Sequence, residues 1–386
     1  MPTPPFSARP YAVAVDAADI DDLRERLRRT RWPDQLADSG WDYGADSGFV
    51  RSLCEYWRDG YDWRGFERRL NAHPQFIGSI DGQALHFYHL RSPEADARPL
   101  LLTHGWPGSV VEFLDVLGPL ADPRAHGGDP RDAFHVIAPS LPGFGFSGPT
   151  QERGFDGRRM AALFHQLMLE LGYPHYFAQG GDWGSLVTVL LGGLYPEAVR
   201  AIHLNMITAP PPDPANPTDG LDADELADLR HNEAFAARET GYQQIQRTKP
   251  QTLAYGLNDS PAGLAAWIVE KFHGWSDCGG RIERSFSREQ LLDNISVYWL
   301  TGTINSSMRL YYEHIGPGRF RAAPRVDVPT GHARFPAEII RTPRRWTEAR
   351  FNIRRWQTMP RGGHFAAMEV PELFVDELRT FFRDYR

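Results

Sequence analysis

The chain has 386 residues, of which 41% are hydrophobic, and it carries a formal net charge of −7 at neutral pH. This length and composition fit one large globular domain with an elaboration, or two domains, around a substantial core. Because the arginines are scattered among acidic residues and no basic run occurs, the composition argues against nucleic acid or an anionic membrane surface as a partner.

Neither a signal peptide nor a membrane anchor is expected from the sequence. The stretch MPTPPFSARPYAVAVDAADI has one short apolar run, and no segment approaches the roughly 20 apolar residues that span a bilayer. The two cysteines, Cys54 and Cys278, show no metal-binding or redox spacing. We therefore expect a cytoplasmic protein, and we expect it to hold no metal and no organic cofactor.

The first predicted elements are helices, between residues 18 and 72. Apolar residues recur at three- and four-residue spacing in DIDDLRERLRRT, FVRSLCEYWRDG and WRGFERRLN. A β-hairpin is predicted over 75–90, because two β-rich runs flank Asp81-Gly82, a pair that supplies positive φ in tight turns. The sheet is therefore expected to begin after a helical leader.

From residue 99 onward, short apolar strands alternate with helical stretches. The strands end in loops rich in Gly and Pro, in PLLLTHGWPGS, FHVIAPSLPGFGFSG, HYFAQGGDWGS and AIHLNM. Repetition of strand and helix favours a parallel sheet covered on both faces. Strand-like segments resume at 325–331 and 356–364, and a helix closes the chain.

A helical insertion is predicted between the two parts of this sheet. After Met206, a Pro-rich connector leads to helices with recognisable starts: Ser260 before Pro261 is an N-cap, and Ser287 with Gln290 is a capping box. The chain is thereby divided into a leader with the first hairpin at 1–95, an α/β core at 96–206, a helical lid at 207–320 and the rest of the core at 321–386.

The most informative motif is GGDWG, at residues 180–184, between a predicted strand and a predicted helix. This is the layout of a nucleophile elbow, in which small residues allow a tight turn that projects one side chain over the sheet. Asp182 stands where many hydrolases have serine, and an N-capping aspartate in an ordinary loop is the competing interpretation. A carboxylate attacks saturated carbon and forms an alkyl ester, so an epoxide or a carbon–halogen bond would be the target.

Hydrolysis of such an ester needs a base, an acid that orients the base, and an oxyanion hole. His364, in a glycine-bounded loop between the last strand and the C-terminal helix, is the predicted base. Glu338, in the loop after the preceding strand, is the predicted acid. The backbone N–H groups of Trp106 and Trp183 are the predicted oxyanion donors.

Other titratable residues near these motifs are assigned structural or solvated positions. Asp327 lies within a predicted strand, and Glu348 lies in a charged stretch further along the chain. His104 is expected to make a structural hydrogen bond rather than act as a second base. Pro107 is a candidate for a cis peptide in the turn that follows.

With these motifs in place, the chain is similar to the microsomal-type epoxide hydrolases of the α/β-hydrolase superfamily, which include juvenile-hormone epoxide hydrolases and bacterial relatives. The resemblance runs from about residue 8 to the end. It rests on RWPDQL, YWRDGYDWR, LLTHGWPGSVVEFLDV, APSLPGFGFSG, AQGGDWGS, TKPQTLAYGLNDSPAGLAAWIVEKF, PTGHARFPAEI and RGGHFAAMEVPE. It implies an α/β-hydrolase fold with a mostly parallel central sheet, a helical lid insertion and an N-terminal helical leader, without the membrane anchor of mammalian members. It also implies Asp182 as nucleophile, Glu338 as acid and His364 as base.

Two lid tyrosines are added by the resemblance alone. In that family their hydroxyls hold and protonate the epoxide oxygen, and the matching positions are Tyr242 and Tyr311, with Tyr255, Tyr298 and Tyr312 as alternatives. A phenol suits this task because it donates a proton while uncharged. The expected substrate-contacting residues are therefore Trp106, Trp183, Tyr242 and Tyr311.

The implied reaction uses water to convert an apolar or aryl epoxide into a vicinal diol. Aromatic residues around the lid favour a sizeable apolar pocket. Bacterial relatives include enzymes of secondary-metabolite pathways, enediyne antibiotics among them, and the resemblance leaves both biosynthesis and detoxification open. A homo-oligomer is compatible with the sequence.

Two other functions compete with this interpretation. A haloalkane dehalogenase shares the aspartate elbow, the histidine and the acid, and holds the halide with ring N–H donors, for which Trp106 and Trp183 are placed. The lid tyrosines and the leader favour the epoxide, because an alkoxide needs a proton whereas a halide does not. A non-catalytic α/β-hydrolase scaffold is the third interpretation, and the presence of every triad member argues against it.

Overall fold

A computed structural model describes residues 7–386 of the chain; the first six residues of the predicted leader lie outside this range. The strands in it are β1 (Arg9–Pro10), β2 (Gln75–Ile80), β3 (Gln83–Leu90), β4 (Arg98–Thr103), β5 (Phe134–Pro139), β6 (Tyr176–Gly180), β7 (Val199–Leu204), β8 (Val326–Arg334) and β9 (Phe351–Thr358). Over the described range they form one nine-stranded sheet in the order β1-β2-β3-β5-β4-β6-β7-β8-β9.

The predicted α/β-hydrolase fold with a mostly parallel sheet is confirmed. Antiparallel pairing is confined to the edge formed by β1, β2, β3 and β5, and every pairing from β5 across to β9 is parallel. The central strand β6 is buried along its whole length, as expected for a strand of a parallel sheet covered on both faces.

Helices fill the connections between these strands. Two pairs pack against the sheet, α4 (Leu114–Ala121) with α15 (Pro371–Phe382) and α5 (Gly157–Glu170) with α6 (Asp182–Leu194), and α6 contacts β6, β7 and β8. The helices are α1 (Ala17–Arg28), α2 (Ser47–Asp59), α3 (Trp63–Leu70), α4 (Leu114–Ala121), α5 (Gly157–Glu170), α6 (Asp182–Leu194), α7 (Ala223–Arg238), α8 (Gly241–Thr248), α9 (Pro250–Asp259), α10 (Pro261–Gly274), α11 (Arg288–Thr301), α12 (Ile304–Ile315), α13 (Arg344–Glu348), α14 (Ala366–Glu369) and α15 (Pro371–Phe382).

The predicted hairpin between β2 and β3 is confirmed. Ile80 pairs with Gln83, and the two residues between them, Asp81 and Gly82, have φ of 52° and 73°. Positive φ at both central positions is the geometry that matches the twist of the two flanking strands. The short strand β1, which the sequence did not predict, adds to the outer edge of this hairpin.

The helical leader packs on the lid across a long separation in sequence. Trp57, from α2, donates its ring N–H to Ser296 Oγ at 3.0 Å. Tyr61, between α2 and α3, donates its hydroxyl to Asp293 Oδ1 at 2.7 Å. Both acceptors lie on α11 and both bonds are buried. The leader is therefore joined to the lid by buried hydrogen bonds as well as by apolar contact.

Helices α7 to α12 lie between β7 and β8 in the sequence, within the segment predicted as the lid. Both predicted caps are confirmed. Ser260 Oγ accepts the N–H of Gly263 at 3.0 Å, and Ser287 and Gln290 exchange two hydrogen bonds in a capping box.

Across residues 7–386, no helix combines the length and the apolar character that crossing a lipid bilayer requires. Cys54 and Cys278 are both buried, and neither is part of a disulfide.

The start of α6 lies directly against the end of β4. β4 and β6 are parallel neighbours with Thr103 paired to Gly180, so the loops that follow them leave the same edge of the sheet. At Gly184, in the first turn of α6, a Cβ would lie 1.9 Å from the Thr103 carbonyl oxygen. This close approach is what lets the two loops face each other.

We expect Gly184→Ala to lower the free energy of unfolding by about 1–3 kcal/mol, because the new methyl group meets rigid backbone. Gly256→Ala is the matched control, since Gly256 also lies in a helix and a Cβ there would have no atom within 4 Å. The control is expected to change stability by less than about 1 kcal/mol. Urea unfolding of both variants measures the difference, and equal stability would contradict the close approach.

Candidate active site

Asp182 occupies a strained turn between β6 and α6. Its φ is 50°, in the left-handed region that residues with a side chain rarely adopt. A Cβ at residue 180 would lie 2.2 Å from the Gly184 carbonyl oxygen, so the turn also requires glycine before the aspartate. The GGDWG motif thus builds a tight elbow, and the strain falls on the residue whose side chain projects over the sheet edge.

The loop after β4 holds one oxygen of this carboxylate. The Trp106 N–H donates to Asp182 Oδ1 at 2.7 Å. A Cβ at residue 105 would lie 2.2 Å from the same oxygen, so Gly105 is what permits the approach. The Trp106–Pro107 peptide is cis. Of the two predicted oxyanion donors, the structure shows this hydrogen bond for Trp106 and not for Trp183, which lies in the first turn of α6.

The predicted base and acid lie beside Asp182. His364 Nε2 is 3.4 Å from Asp182 Oδ2, and His364 Nδ1 is 2.7 Å from Glu338 Oε1. Glu338 follows β8 and His364 follows β9, which are parallel neighbours, and a backbone bridge between Ala337 and Gly363 continues their pairing. The structure therefore brings all three predicted residues into one chain of contacts.

A partly buried carboxylate, that of Glu369, fixes the loop that carries His364. Glu369 accepts the N–H groups of Asp277 at 2.8 Å and of Gly363 and Phe365 at 3.1 Å each. Burial raises the pKa of Glu369 to about 7, although these N–H donors pull it down. The loop is thus held on both sides of the imidazole, which limits the positions that the ring can take.

The two carboxylates control the charge of His364. Burial alone would lower the pKa of this imidazole, but Glu338 and Asp182 together raise it well above its ordinary value. The free enzyme therefore favours an imidazolium between two carboxylates. A step that removes the charge of Asp182 therefore lowers the pKa of His364.

The two tyrosines named by the resemblance lie together above Asp182. Their ring centroids are 5.9 Å apart; Tyr242 stacks on the Trp106 ring at 5.3 Å, and Tyr311 meets the Trp183 ring edge-on at 4.7 Å. Burial, with Asp182 nearby, raises the pKa of both phenols. Both are therefore uncharged at neutral pH and able to donate a proton.

The alternative tyrosines lie elsewhere. Tyr255 is 75% exposed. Tyr298 is buried and donates its hydroxyl to the Gly108 carbonyl at 2.6 Å. Tyr312 lies under the guanidinium of Arg319, 4.8 Å from its ring centroid. None of the three joins the aromatic group around Asp182.

The structural assignment of His104 is consistent with its contacts. Its Nε2 accepts the N–H of Leu141 at 3.0 Å, and its Nδ1 lies 3.0 Å from the Gly105 carbonyl oxygen. Burial lowers the pKa of His104 to about 4, so the ring stays neutral. His104 joins two loops at the sheet edge.

A mostly apolar groove of about 570 Å³ runs from Asp182 to the surface. Leu186 and Val189 from α6 form part of its wall, with Met206 and Trp346 from the two core segments. Phe320, which is 70% exposed, lies at the outer end. The groove gives an apolar molecule a route to the carboxylate.

Two charged side chains near the site were missed by the sequence analysis. Lys271 is buried in α10 and paired with Glu270, and its Nζ lies 4.5 Å from the Tyr242 ring centroid. Glu112 lies in a short 3-10 helix, Val110–Phe113, after the Trp106 loop. Both lie within stretches that carry the family resemblance, but no spacing singles them out, and their proximity to the site depends on how the lid and the loop fold back.

Comparison with known proteins agrees with this architecture. Residues 8–113 match the family described as epoxide hydrolase N terminus, and residues 98–253 match the one described as alpha/beta hydrolase fold. Epoxide hydrolase 1 of Sus scrofa is 39% identical over 401 residues, which cover 97% of this chain and 88% of the relative.

Two solved structures are similar over nearly the whole chain. The crystal structure of juvenile hormone epoxide hydrolase from the silkworm Bombyx mori matches with a TM-score of 0.90 at 31% identity, covering 99% of this chain and 95% of that one. The structure of Aspergillus niger epoxide hydrolase matches with a TM-score of 0.87 at 33% identity, covering 98% and 97%.

The fold and these matches define a hydrolase of the α/β-hydrolase class. Within that class, the chain belongs to the epoxide hydrolase family, as its resemblance to juvenile-hormone epoxide hydrolases and their relatives predicted.

Replacing Glu338 with Gln is expected to lower the pKa of His364, because one of the two carboxylates that stabilise the imidazolium is lost. NMR titration of the histidine ring measures this shift. Glu348→Gln is the matched control, since Glu348 is half-exposed and pairs with Arg344 instead. An unchanged His364 pKa in Glu338→Gln would contradict the assignment of Glu338.

Proposed function

We propose that the protein opens an apolar epoxide by attack of the Asp182 carboxylate on a ring carbon, and that water then hydrolyses the resulting ester. The observation that carries this proposal is the position of Asp182: Oδ1 accepts the Trp106 N–H at 2.7 Å, and Oδ2 lies 3.4 Å from His364 Nε2. A carboxylate held in this way is aimed at a reacting atom rather than used as a helix cap, since Gly181 and not Asp182 is the N-cap residue of α6.

The tyrosine pair supplies the proton in the first step. As Asp182 forms its bond to carbon, the C–O bond of the epoxide breaks and negative charge develops on the ring oxygen. Tyr242 and Tyr311 lie over Asp182 as neutral phenols, so their hydroxyls hold this oxygen and one of them protonates it. The products of this step are an alkyl ester at Asp182, a neighbouring alcohol and a phenolate.

His364 acts in the second step. The ester carries no charge, so Glu338 remains as the one carboxylate beside the imidazole, and burial then favours the neutral ring. The proton that His364 gives up replaces the one lost by the phenol. Neutral His364 accepts a proton from water, whose oxygen bonds to the carbonyl carbon of the ester, and the Trp106 N–H stabilises the developing oxyanion. Cleavage of the ester releases the diol and restores Asp182.

The groove supports an apolar or aryl epoxide as the substrate, since most of its wall surface is apolar. Aryl epoxides, which the sequence analysis expected alongside other apolar epoxides, come first in a panel of substrates. A dehalogenase would need no proton donors at this position, so the buried pair of tyrosines favours the epoxide. We expect diol release from styrene oxide and no bromide release from an alkyl bromide of similar size.

A single turnover in heavy-oxygen water tests the covalent step. The label is expected in the peptide that contains Asp182 after the first turnover and in the diol only after later ones, because the first diol carries an oxygen from the enzyme. Mass spectrometry of peptide and diol measures both. Label in the diol of the first turnover would mean direct attack by water and would overturn the proposal.

His364→Gln is expected to trap the ester, visible as a protein mass increased by that of the epoxide. The loss of a general base slows the hydrolysis step by about 10²–10⁴-fold while alkylation continues. Asp182→Asn is the matched control and should form no adduct. A His364→Gln protein that stays unmodified under the same conditions would remove the support for this role of the histidine.

Tyr242→Phe and Tyr311→Phe are each expected to slow ester formation, and the double variant by about 10²–10⁴-fold, because no neutral acid then faces the ring oxygen. Tyr255→Phe is the control, since Tyr255 is 75% exposed and lies away from the site. Stopped-flow fluorescence of the tryptophans beside Asp182 follows ester formation. Unaltered alkylation in the double variant would exclude the tyrosines as proton donors.

A further inference from the structure

Lys271 lies in an aromatic cage beside one of the two active-site tyrosines. Its side chain belongs to α10 and is 5% exposed. Its Nζ lies 4.5 Å from the ring centroid of Tyr242, 5.7 Å from that of Trp275 and 5.9 Å from that of Trp267. A cation over aromatic faces within about 6 Å is attracted by the rings, and more strongly where water is excluded. The ammonium group is therefore held close to Tyr242.

Other contacts fix the walls of this cage. Trp267 precedes Lys271 by four residues and Trp275 follows it by four, so the three side chains share one face of α10 and its end. The Trp267 ring N–H donates to Gln246 Oε1 at 3.1 Å, and Gln246 lies on α8 four residues after Tyr242. The Trp275 and Tyr242 ring centroids are 5.2 Å apart. The cage therefore joins α8 to α10 and sets the position of the ammonium relative to the phenol.

The choice of cation is unusual for this chain. Lys249 and Lys271 are its only lysines, and arginine supplies the other permanently charged cationic side chains. Lys249 is exposed, whereas Lys271 is buried. An ammonium is a compact point charge, whereas a guanidinium is a wide plane with five donors. A cage of three rings and one carboxylate suits the smaller ion.

The carboxylate that pairs with Lys271 is more open to water than the ammonium. The side chain of Glu270 is 24% exposed, against 5% for Lys271. Water therefore screens the negative charge of the pair more than the positive one. Burial and then Asp182 are the main causes that raise the pKa of Tyr242, and Glu270 contributes least. Because the ammonium lies over the Tyr242 ring, the pair presents mainly positive charge to this phenol.

The two tyrosines of the site are not equivalent as acids. Burial raises the pKa of both phenols, but their mutual contact lowers the pKa of Tyr242 and raises that of Tyr311. Tyr311 packs against the Trp183 ring, while Tyr242 lies under the ammonium. The ionised form of Tyr242 is thus the one with a cation and a second hydroxyl beside it.

We propose that Lys271 stabilises the phenolate that forms when Tyr242 protonates the epoxide oxygen, which makes Tyr242 the proton donor of the pair. The inference rests on the proposed function, since it concerns the first step of that reaction. As Asp182 bonds to a ring carbon, the electrons of the C–O bond move to the oxygen, which takes the Tyr242 proton. The electron pair left on the phenolate lies beside the ammonium until the proton given up by His364 replaces the one lost. Lys271 acts through Tyr242 as a positioning residue and ends the cycle unchanged.

Lys271→Met removes the charge and keeps an unbranched side chain. We expect the alkylation constant to fall by about 10- to 100-fold, because a buried phenolate then forms without an opposite charge beside it. The ester hydrolysis constant should stay within about 3-fold, since His364 and Glu338 are intact. Stopped-flow tryptophan fluorescence with styrene oxide gives both constants.

A double-mutant cycle shows whether Lys271 acts through Tyr242. In the Tyr242→Phe background, Lys271→Met should change the alkylation constant by less than about 3-fold, because no phenolate forms at position 242. In the Tyr311→Phe background its full effect should remain. A merely structural role for Lys271 would instead give the same loss in both backgrounds.

Lys249→Met is the matched control, since it removes the other lysine, which is exposed. Both constants should stay within about 2-fold of wild type. Lys271→Gln is a second neutral variant, and it serves if the melting curve of Lys271→Met shows that this protein folds poorly.

An unchanged alkylation constant in the neutral variants, an equal loss in both steps, or an equal loss in both tyrosine backgrounds would overturn the role of Lys271. Failure of wild type and His364→Gln to form any ester would instead overturn the covalent reaction itself. The two failures are therefore distinguishable in one set of measurements.

Discussion

The hydrogen bond from the Trp106 N–H to the Asp182 carboxylate is the contact on which the rest of the site depends. It joins the loops after β4 and β6, and it forms because glycines at 105, 180 and 184 let three backbone segments approach more closely than a Cβ allows. Asp182 adopts an unfavourable, positive φ at this position. The large parallel sheet supplies the rigidity that holds such a turn in place.

Charge is the quantity that links the two steps proposed for the reaction. Asp182 stabilises the proton on His364 and raises the pKa of both tyrosines and of Glu112. Conversion of this carboxylate into an ester would therefore lower the pKa of His364 and of both tyrosines. In the proposed reaction the imidazole thus becomes a base at the stage when the ester is hydrolysed.

The sequence was most informative where chemistry and chain order coincide. Asp182, Glu338 and His364 could be predicted because each follows a strand whose end lies at one edge of a parallel sheet, and the structure brings them into contact. Tyr242 and Tyr311 came from the family resemblance, since a lid helix offers no periodicity that separates them from Tyr298. Glu112 could not be found, because its approach depends on a side chain turning back beneath Gly108. The elbow motif also predicted Trp183 as a donor, but within residues 7–386 the Asp182 carboxylate accepts a backbone hydrogen bond from Trp106 and not from Trp183.

The buried hydrogen bonds from Trp57 and Tyr61 to α11 restrict how a substrate can enter the active site and how the product can leave it. If the lid opened as a rigid body, both hydrogen bonds would break. Their buried donors and acceptors would then lack partners, which costs free energy in every catalytic cycle. The groove beside α6 is a better route for the epoxide to enter and the diol to leave, because it is already open to solvent at Phe320. The leader thus holds the lid in place, and an epoxide that reaches Asp182 has to fit within the groove.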